Sequence, residues 1–450
     1  MNSTYVLQDG TVYSKRKNFR PFSSSTIEAY TSIVGSEKME KLHSISQPLK
    51  GLKILELNST AQGGGVAEML YSSIPFLNML EIETEWKIVN GSKKYFECTK
   101  KLHNLLQGMK GTFSSEMKQT YRNQLQECVS NNIIDYSPDI VNINDPQPML
   151  LCQYLKKNSE SWFWRCHIDI EPAIKSANGL LSLINDWITD YDAAIFSAAR
   201  YVLPHWPVPK FIIPPFIDPL SEKNRYLTKE EINKVLTKYE INQEIPIIAQ
   251  IGRFDPWKGL DRTIATYRQV RKERKCQLLI AGGSASDDPE GLRILNKIYE
   301  DTKDDEDIHI LNLSLANRLE NYVEVNALQR AASIIMQPST REGFGLVITE
   351  ALWKSKPVIA GNVGGIPFQI KNGNTGYFYQ NPNVTAQKVI YLLDNPQAAN
   401  RIGKRGKKYV HEHFLIVDRI ADYLMAIETS INSRLVGSRP SQSVTSFYPW

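Results

Sequence analysis

Residues 341–350 (Arg-Glu-Gly-Phe-Gly-Leu-Val-Ile-Thr-Glu) combine two carboxylates, two glycines and the start of an apolar segment. The segment from Leu346 is predicted to open a helix, and the unpaired N–H groups of a helix start, reached through glycines, suit an anion such as phosphate. Glu342 precedes this start, and Glu350 lies about two turns beyond it. Carboxylates repel phosphate but hold neutral hydroxyls. The pattern therefore predicts a nucleotide-sugar site; the plainer alternative is a loop with incidental acids.

A second group of ionisable residues follows an apolar strand predicted over 245–251 (Ile-Pro-Ile-Ile-Ala-Gln-Ile). This strand leads into Gly-Arg-Phe-Asp-Pro-Trp-Lys-Gly, which places Arg253 and Lys258 at its carboxyl end between glycines. Two cations in such a position can clamp a diphosphate. The alternative is a pair of solvated basic residues, which the flanking glycines and the strand-to-helix setting disfavour.

Three consecutive glycines at 63–65 follow the first strongly predicted strand, residues 52–57. Apolar residues then recur at helical spacing over 66–77, in a helix that Pro75 should kink. A strand, a glycine loop and a helix form the opening of a doubly wound α/β domain, whose ligands bind beyond the carboxyl ends of the strands. The alternative to a binding loop is a mobile connection.

Polar residues end two further predicted strands, 139–144 and 163–168, on the side of the sheet where the glycines lie. Asp145 follows the first strand, and the second carries His167 with Asp169 two residues on. Side chains at these strand ends are expected to share one binding region. Taken alone, a histidine in this position is more often structural than catalytic.

The other apolar segments continue the alternation of strands and helices, which predicts two parallel sheets in two domains. Further strands are predicted at 192–196, 210–213, 277–281, 308–313, 333–337 and 357–360. A proline-rich stretch is predicted to separate the domains. The expected organisation is a loosely ordered extension over 1–25, an N-terminal domain over 26–220, a C-terminal domain over 221–415, a helix over 416–433 returning to the N-terminal domain, and a tail over 434–450.

Composition narrows the class of protein. A chain of 450 residues is too long for one core, and 42% hydrophobic with 22% charged residues is ordinary for a soluble globular protein. The net charge of +5 is too small and too dispersed to indicate nucleic-acid binding. The sequence contains no apolar run long enough to predict a membrane span, and no signal peptide is evident. The five scattered cysteines predict reduced thiols in a cytoplasmic protein.

These motifs together resemble those of the retaining glycosyltransferases of group 1, or family 4, with the GT-B architecture. That architecture is α/β: two facing Rossmann-like, doubly wound parallel-sheet domains with an interdomain cleft. The motifs that carry the likeness are the arginine–lysine loop at 252–259 and the pair Glu342 and Glu350, with seven residues between them. The glutamate pair marks only the broad class.

Within that group, the chain is most similar to the trehalose glycosyltransferring synthases. This closer likeness rests on residues 57–60, 63–68, 99–108, 144–148, 164–169 and 214–224. One departure is Asn144, where a histidine is expected. The departure weakens any role for that side chain but not for Asp145.

The resemblance implies a role for each candidate residue. Glu342 would hold a hydroxyl of the donor glucose, and Glu350 the ribose hydroxyls. Arg253, Lys258 and the N–H groups of residues 344–346 would take the diphosphate. The implied catalytic residues are His167, Arg253, Lys258 and Glu342; the donor-binding residues are Gly64, Gly65, Arg253, Lys258, Glu342, Gly343, Phe344, Gly345, Leu346 and Glu350; and the acceptor-binding residues are Gly63, Asp145, His167 and Asp169.

The activity that the resemblance implies is transfer of glucose from a nucleoside-diphosphate glucose to glucose, with retention, to give α,α-trehalose. No cofactor and no metal are implied. The expected partners are the two small-molecule substrates, without nucleic acid or a membrane span, and a homodimer is left open. The rival interpretations are a trehalose phosphorylase that uses glucose 1-phosphate, a glycosyltransferase with another acceptor, and a non-catalytic sugar-nucleotide sensor. A dehydrogenase is disfavoured because the three glycines lack the spaced Gly-x-Gly-x-x-Gly pattern.

Overall fold

The computed structural model describes residues 4–6, 12–14, 26–61, 64–157, 159–176, 179–203, 205–283, 289–435 and 443–447. The chain forms two compact units. The first consists of Met1–Pro215 together with Ile416–Trp450, and the second of Phe216–Leu415. The boundary predicted from the sequence lies five residues later, after residue 220.

The strands and helices follow each other in alternation along most of the chain. The strands are β1 Thr4–Val6, β2 Val12–Ser14, β3 Lys53–Asn58, β4 Glu83–Ile88, β5 Ile140–Asn144, β6 Ser161–Cys166, β7 Ala193–Phe196, β8 Lys210–Ile212, β9 Ile247–Ile251, β10 Gln277–Gly282, β11 Ile308–Asn312, β12 Ile334–Gln337, β13 Val358–Ala360, β14 Tyr377–Phe378 and β15 Val444–Ser446. The helices are α1 Ile27–Val34, α2 Ser36–Ser46, α3 Gly65–Met79, α4 Lys93–Leu106, α5 Ser115–Ser130, α6 Leu151–Leu155, α7 Glu171–Ser176, α8 Gly179–Ile188, α9 Lys229–Lys238, α10 Leu260–Arg271, α11 Pro289–Thr302, α12 Arg318–Ala331, α13 Leu346–Trp353, α14 Ile366–Gln369, α15 Pro382–Asp394, α16 Pro396–His413 and α17 Ile416–Leu435.

The first unit is built on a seven-stranded sheet in the order β15-β8-β7-β6-β5-β3-β4, and every neighbouring pair in it is parallel. From β3 the chain winds outward to β4 and then returns past β3 to β5. This reversal makes a topological switch point between β3 and β5, where doubly wound sheets bind ligands. The glycine loop follows β3, and Asp145 follows β5.

The second unit repeats this plan with a six-stranded sheet in the order β11-β10-β9-β12-β13-β14, again with parallel pairs only. Its switch point lies between β9 and β12. Residues 252–259 follow β9, and the loop that contains Glu342 follows β12. The predicted fold class, with two doubly wound parallel-sheet units, is confirmed.

Several strands could be predicted from apolar runs in the sequence because they are buried on both faces of the sheet. All residues of β5, β6, β9 and β10 are buried, because helices cover both faces of a parallel sheet. The core of the second unit joins side chains from the sheet and from helices α10, α11, α15 and α16, and its members include Ile248, Val270, Leu295, Val389 and Ile402.

Several features differ from the sequence-based expectations: residues 1–25, expected to be loosely ordered, include the antiparallel pair β1 and β2, and the short edge strand β14 was not predicted. Strand β4 was not predicted, because it lies at the sheet edge and carries charged residues at several positions. Pro75 lies inside α3, as expected, and that helix runs on past it to Met79. The region 434–450, expected to be a tail without structure, contributes β15, which pairs with β8 in parallel register from Val444 opposite Lys210. The β-branched Val444 and Thr445 suit a strand, and their pairing covers the β8 edge.

The five cysteines are unpaired and buried. Across the part of the chain that the structure describes, no helix is both long enough and apolar enough to cross a membrane.

Candidate functional site

The loop after β9 presents the two predicted cations of the second unit. The Arg253 guanidinium lies 3.5 Å from Asp255, and its side chain remains more than half exposed, at 59%. Asp255 caps a short 3₁₀ turn, Pro256–Lys258, by accepting a hydrogen bond from the N–H of Trp257. Gly259 then adopts a left-handed φ of 67°, and a Cβ there would lie 2.3 Å from a carbonyl oxygen of the next loop. The loop therefore requires glycine where it passes close to residues 338–342.

Lys258 and Glu342 are brought into direct contact. The Lys258 Nζ lies 2.6 Å from the Glu342 Oε2, and both side chains are largely buried. Ser339 donates a further hydrogen bond of 3.2 Å to the same carboxylate oxygen. Arg341, the neighbour of Glu342, places its guanidinium over the Trp257 ring at 4.1 Å. The two motifs identified in the sequence thus form one polar cluster.

The start of α13 is held by the loop that follows β13. Gly345 precedes the helix with a left-handed φ of 88°. The Gly365 N–H donates to the Gly343 carbonyl at 3.1 Å, and a Cβ on Gly365 would lie 2.7 Å from that oxygen. The buried Phe344 carbonyl accepts a short hydrogen bond from Gln369. The first N–H groups of α13, beginning at Leu346, are therefore presented by a constrained turn.

Glu350, by contrast, is enclosed. It is 1% exposed, and its two carboxylate oxygens accept from Lys223 and Gln329, each at 2.9 Å. Burial alone would raise the pKa of the Glu350 carboxyl, but the charges of Lys223 and Lys354 outweigh that effect and lower it. Each carboxylate oxygen of Glu350 therefore already has one charged or polar partner within the second unit.

In the first unit, Asp145 and His167 contact each other. Asp145 has a left-handed φ of 63°, a conformation that aspartate tolerates better than most residues. Its Oδ1 accepts from the backbone N–H of His167 at 2.8 Å, and its carbonyl accepts from the Trp164 indole at 3.0 Å. Burial raises the pKa of Asp145 to about 7, against the opposing effects of the His167 N–H and of Arg165.

The imidazole of His167 is buried and lies 2.9 Å from the Asn144 side-chain oxygen. Burial, together with the nearby Arg165, holds the pKa of His167 well below its usual range, so the ring is neutral. The Asn144 amide in turn donates to Glu56 at 2.7 Å. Sequence analysis gives Asn144 little weight, yet it is the side-chain partner of the candidate histidine.

The remaining predicted residues are less informative. Gly63 lies outside the described residues. Gly64 has a φ of 155°, and a Cβ there would meet no atom of the described residues within 4 Å. Gly65 is the first residue of α3. Asp169 accepts from the N–H of Glu171, the first residue of α7, at 3.0 Å.

Five residues of these clusters were not predicted from the sequence to belong to a site. They are Glu56, Arg165, Lys223, Gln329 and Tyr423. Only Glu56 gave a visible signal, as a glutamate inside an otherwise apolar strand. Among the residues described by the structure, no group of three or more histidine, cysteine, aspartate and glutamate side chains could hold a metal ion.

Known structures share this fold. A sucrose-phosphate synthase from Thermosynechococcus elongatus superposes with a TM-score of 0.65 at 17% identity, over 86% of this chain and 100% of that one. Residues 231–409 match the family of glycosyl transferases group 1, and residues 56–203 match the N-terminal domain of trehalose synthase. The fold and the site define a GT-B glycosyltransferase.

Full-length relatives refine this class. The chain is 40% identical to a trehalose synthase from Pyrococcus horikoshii, over 90% of its own length and 97% of the relative. It therefore belongs to the trehalose synthase family within the group 1 glycosyltransferases. A trehalose phosphorylase from Grifola frondosa is 29% identical over 82% of this chain, but the match spans only 56% of that protein.

Proposed function

We propose that this enzyme transfers glucose from a nucleoside-diphosphate glucose to the anomeric hydroxyl of free glucose, with retention, and so forms α,α-trehalose. The observation that carries the proposal is the contact between Lys258 and Glu342, 2.6 Å apart, beside the start of α13. In a nucleotide sugar, the sugar ring is bonded directly to the diphosphate. A cation for the phosphate and a carboxylate for a sugar hydroxyl should then be neighbours.

The diphosphate is the leaving group, and negative charge grows on it as the glycosidic bond breaks. Lys258 and Arg253 stabilise this charge together with the N–H groups at the start of α13. Arg253 is exposed enough to move onto a phosphate, since its ion pair to Asp255 is long at 3.5 Å. Glu342 holds a hydroxyl of the donor glucose and keeps the anomeric carbon in place.

Retention follows when the acceptor attacks the face that the diphosphate leaves. The leaving phosphate oxygen accepts the proton of the incoming glucose hydroxyl as the new bond forms. No carboxylate nucleophile is required for this route, so the work of the protein is positioning and charge stabilisation. His167 and Asp145 contribute polar groups of the first unit to sugar binding, and Asp169 is a further candidate for binding the acceptor.

Glu350 binds the ribose hydroxyls of the donor. Lys223 and Gln329 each contact one of its oxygens, and a carboxylate oxygen can accept a second hydrogen bond. The ribose hydroxyls can therefore add to these contacts, and the contribution of Glu350 to donor affinity is that of hydrogen bonds to a charged group.

A trehalose phosphorylase is the second candidate, and its support is the 29% identity to the Grifola frondosa enzyme. The lengths favour the synthase, because the match covers nearly the whole of the Pyrococcus horikoshii protein and about half of the phosphorylase. The test is product analysis with three substrate sets: glucose with ADP-, UDP- or GDP-glucose, glucose with glucose 1-phosphate, and maltose alone. Trehalose from the first set only is the expected result. Trehalose from either of the other sets, and none from the first, contradicts the proposal.

A further inference from the structure

A line of three buried polar side chains runs through the core of the first unit from β3 to the end of β6. Glu56 accepts from the Asn144 amide nitrogen at 2.7 Å, and the Asn144 side-chain oxygen lies 2.9 Å from the His167 Nε2. Their exposed fractions are 3%, 1% and 8%. Three polar side chains so deeply buried constrain one another, because each atom must find a partner of the opposite kind.

The orientation of the Asn144 amide follows from its acceptors. Its Nδ2 donates to the Glu56 Oε2 at 2.7 Å and to the Leu57 carbonyl at 3.3 Å. Two acceptors on that side leave the amide oxygen facing His167. An oxygen with no hydrogen can only accept, so the His167 Nε2 must carry a proton.

The neutral imidazole carries one ring proton, and that proton is on Nε2. The Nδ1 atom therefore has a free lone pair. It is buried and has no hydrogen-bond partner among the residues described. A buried acceptor without a partner is costly in the free protein and is satisfied when a ligand supplies a donor.

We infer that Glu56 and Asn144 are positioning residues that hold His167 as its Nε2–H tautomer, so that Nδ1 accepts a hydrogen bond from a substrate hydroxyl. This inference rests on the proposed function for the class of ligand, a sugar, which offers hydroxyl donors. The tautomer itself depends only on the protein. His167 binds the sugar as a hydrogen-bond acceptor and cannot donate a proton to it from Nδ1.

Strand β5 supplies a matched control. Asn142 and Asn144 lie two residues apart on this strand, and both donate to the same oxygen of Glu56 at 2.7 Å. Only Asn144 also reaches His167. Asn142→Ala and Asn144→Ala each remove one hydrogen bond to Glu56, but only Asn144→Ala also removes the contacts to the Leu57 carbonyl and to His167. Asn142→Ala therefore measures the loss of a bond to Glu56 without a change at the imidazole.

The kinetic arm compares these two variants. Asn144→Ala should lower kcat/KM for trehalose formation by on the order of tenfold or more, the scale of one well-placed hydrogen bond. Asn142→Ala should stay within about threefold of the wild type, below the scale of one lost hydrogen bond. Equal losses in both variants would show that the asparagines only support the fold, and would overturn the assignment of Asn144.

The second arm reads the tautomer directly and needs no substrate. The full chain is labelled with ¹⁵N-histidine, and the His167 ring signals are assigned by their absence in His167→Gln. We expect a protonated Nε2 and an unprotonated Nδ1 from about pH 5.5 to pH 8, a range that spans the ordinary histidine pKa. Glu56→Gln frees the Asn144 amide to rotate and should produce a second set of signals with the proton on Nδ1.

The ionisable groups around this line are Glu56 on β3, Asp145 after β5, Arg165 on β6, Asp169 after β6 and Tyr423 on α17. Several of these groups can titrate, so the pH dependence of the rate cannot be assigned to His167 alone. The ¹⁵N signals of its ring report on His167 specifically. A wild-type signal with the proton on Nδ1, or a doubly protonated ring at neutral pH, overturns the inference. If the tautomer is as expected but no trehalose is made, the proposed function fails and the assignment of the tautomer stands.

Discussion

Lys258 and Glu342, from loops that follow two neighbouring strands, form an ion pair with their charged atoms 2.6 Å apart. Strands β9 and β12 are parallel neighbours, so the loops at their carboxyl ends emerge at the same edge of the sheet. A group suited to phosphate and a group suited to a sugar hydroxyl therefore meet at the switch point of the second unit. The glycines at 259 and 345 allow this approach.

The proposed charge stabilisation by the two cations predicts a large catalytic loss when either is removed. Lys258→Ala and Arg253→Ala should each lower kcat by about 10²–10³-fold, the effect of losing one preorganised stabilising group. Arg271→Ala is a matched control, because Arg271 lies in the same unit but is exposed and pairs with Asp307. Steady-state kinetics at a temperature where all three variants are folded, as shown by their melting curves, checks this. Turnover at the wild-type rate in folded Lys258→Ala would exclude Lys258 from the site.

The enclosure of Glu350 predicts that its truncation affects folding. Glu350→Ala leaves Lys223 and Lys354 without their buried counter-charge and should cost about 3–5 kcal/mol of stability. A double variant, Lys223→Met with Glu350→Leu, removes the first ion pair as a unit and should recover part of this loss. Chemical denaturation of the three proteins compares them. A Glu350→Ala variant with the same free energy of unfolding as the wild type would show that the carboxylate does not stabilise the fold.

The ribose contact is tested separately with a variant that keeps the shape of the side chain. Glu350→Gln should raise the donor KM by about ten- to hundredfold, because hydrogen bonds to a charged group contribute roughly 1.5–3 kcal/mol. The KM for glucose as acceptor should change little. A donor titration and an acceptor titration on the same preparation separate the effects. Equal changes in both constants would indicate a general distortion instead of a lost ribose contact.

The raised pKa of Asp145 predicts a change of stability with pH. Its folded pKa of about 7 lies above the ordinary aspartate value, so the folded state holds this proton more tightly than the unfolded chain does. The stabilisation is complete below about pH 4 and is lost as the pH rises toward about 7. Asp145→Asn stays neutral and still offers an oxygen to the His167 N–H.

The stability of Asp145→Asn relative to the wild type should therefore be higher at about pH 8 than at about pH 4, by on the order of 2–4 kcal/mol. Asp422, whose pKa burial also raises to about 7, titrates in both proteins and cancels in the difference. Chemical denaturation of both proteins at the two pH values measures this difference in the free energy of unfolding. A difference between the two proteins that does not vary with pH would mean that Asp145 is ionised throughout.

The sequence revealed much of the fold because fully buried parallel strands appear as short apolar runs, as β9 and β10 do. The edge strand β4 was missed for the converse reason, since a strand with a solvated side need not be apolar. Gly259 and Gly345 could be recognised as turn positions because glycine adopts the left-handed conformation without steric cost.

The partners of the site residues could not be read in the same way. Glu56 lies opposite Asn142 in the pairing of β3 with β5, and only that register brings it to Asn144. Lys223 reaches Glu350 from a distant part of the chain. Such contacts depend on how strands and helices pack, and no local spacing encodes them.

The central claim is that a nucleoside diphosphate leaves as trehalose forms. The most direct measurement follows both products in one reaction of the purified enzyme with glucose and a nucleoside-diphosphate glucose, in buffer without inorganic phosphate. We predict one nucleoside diphosphate released for each α,α-trehalose formed, at the same rate throughout. Trehalose formed without nucleotide release, or synthesis only from glucose 1-phosphate, would contradict the account.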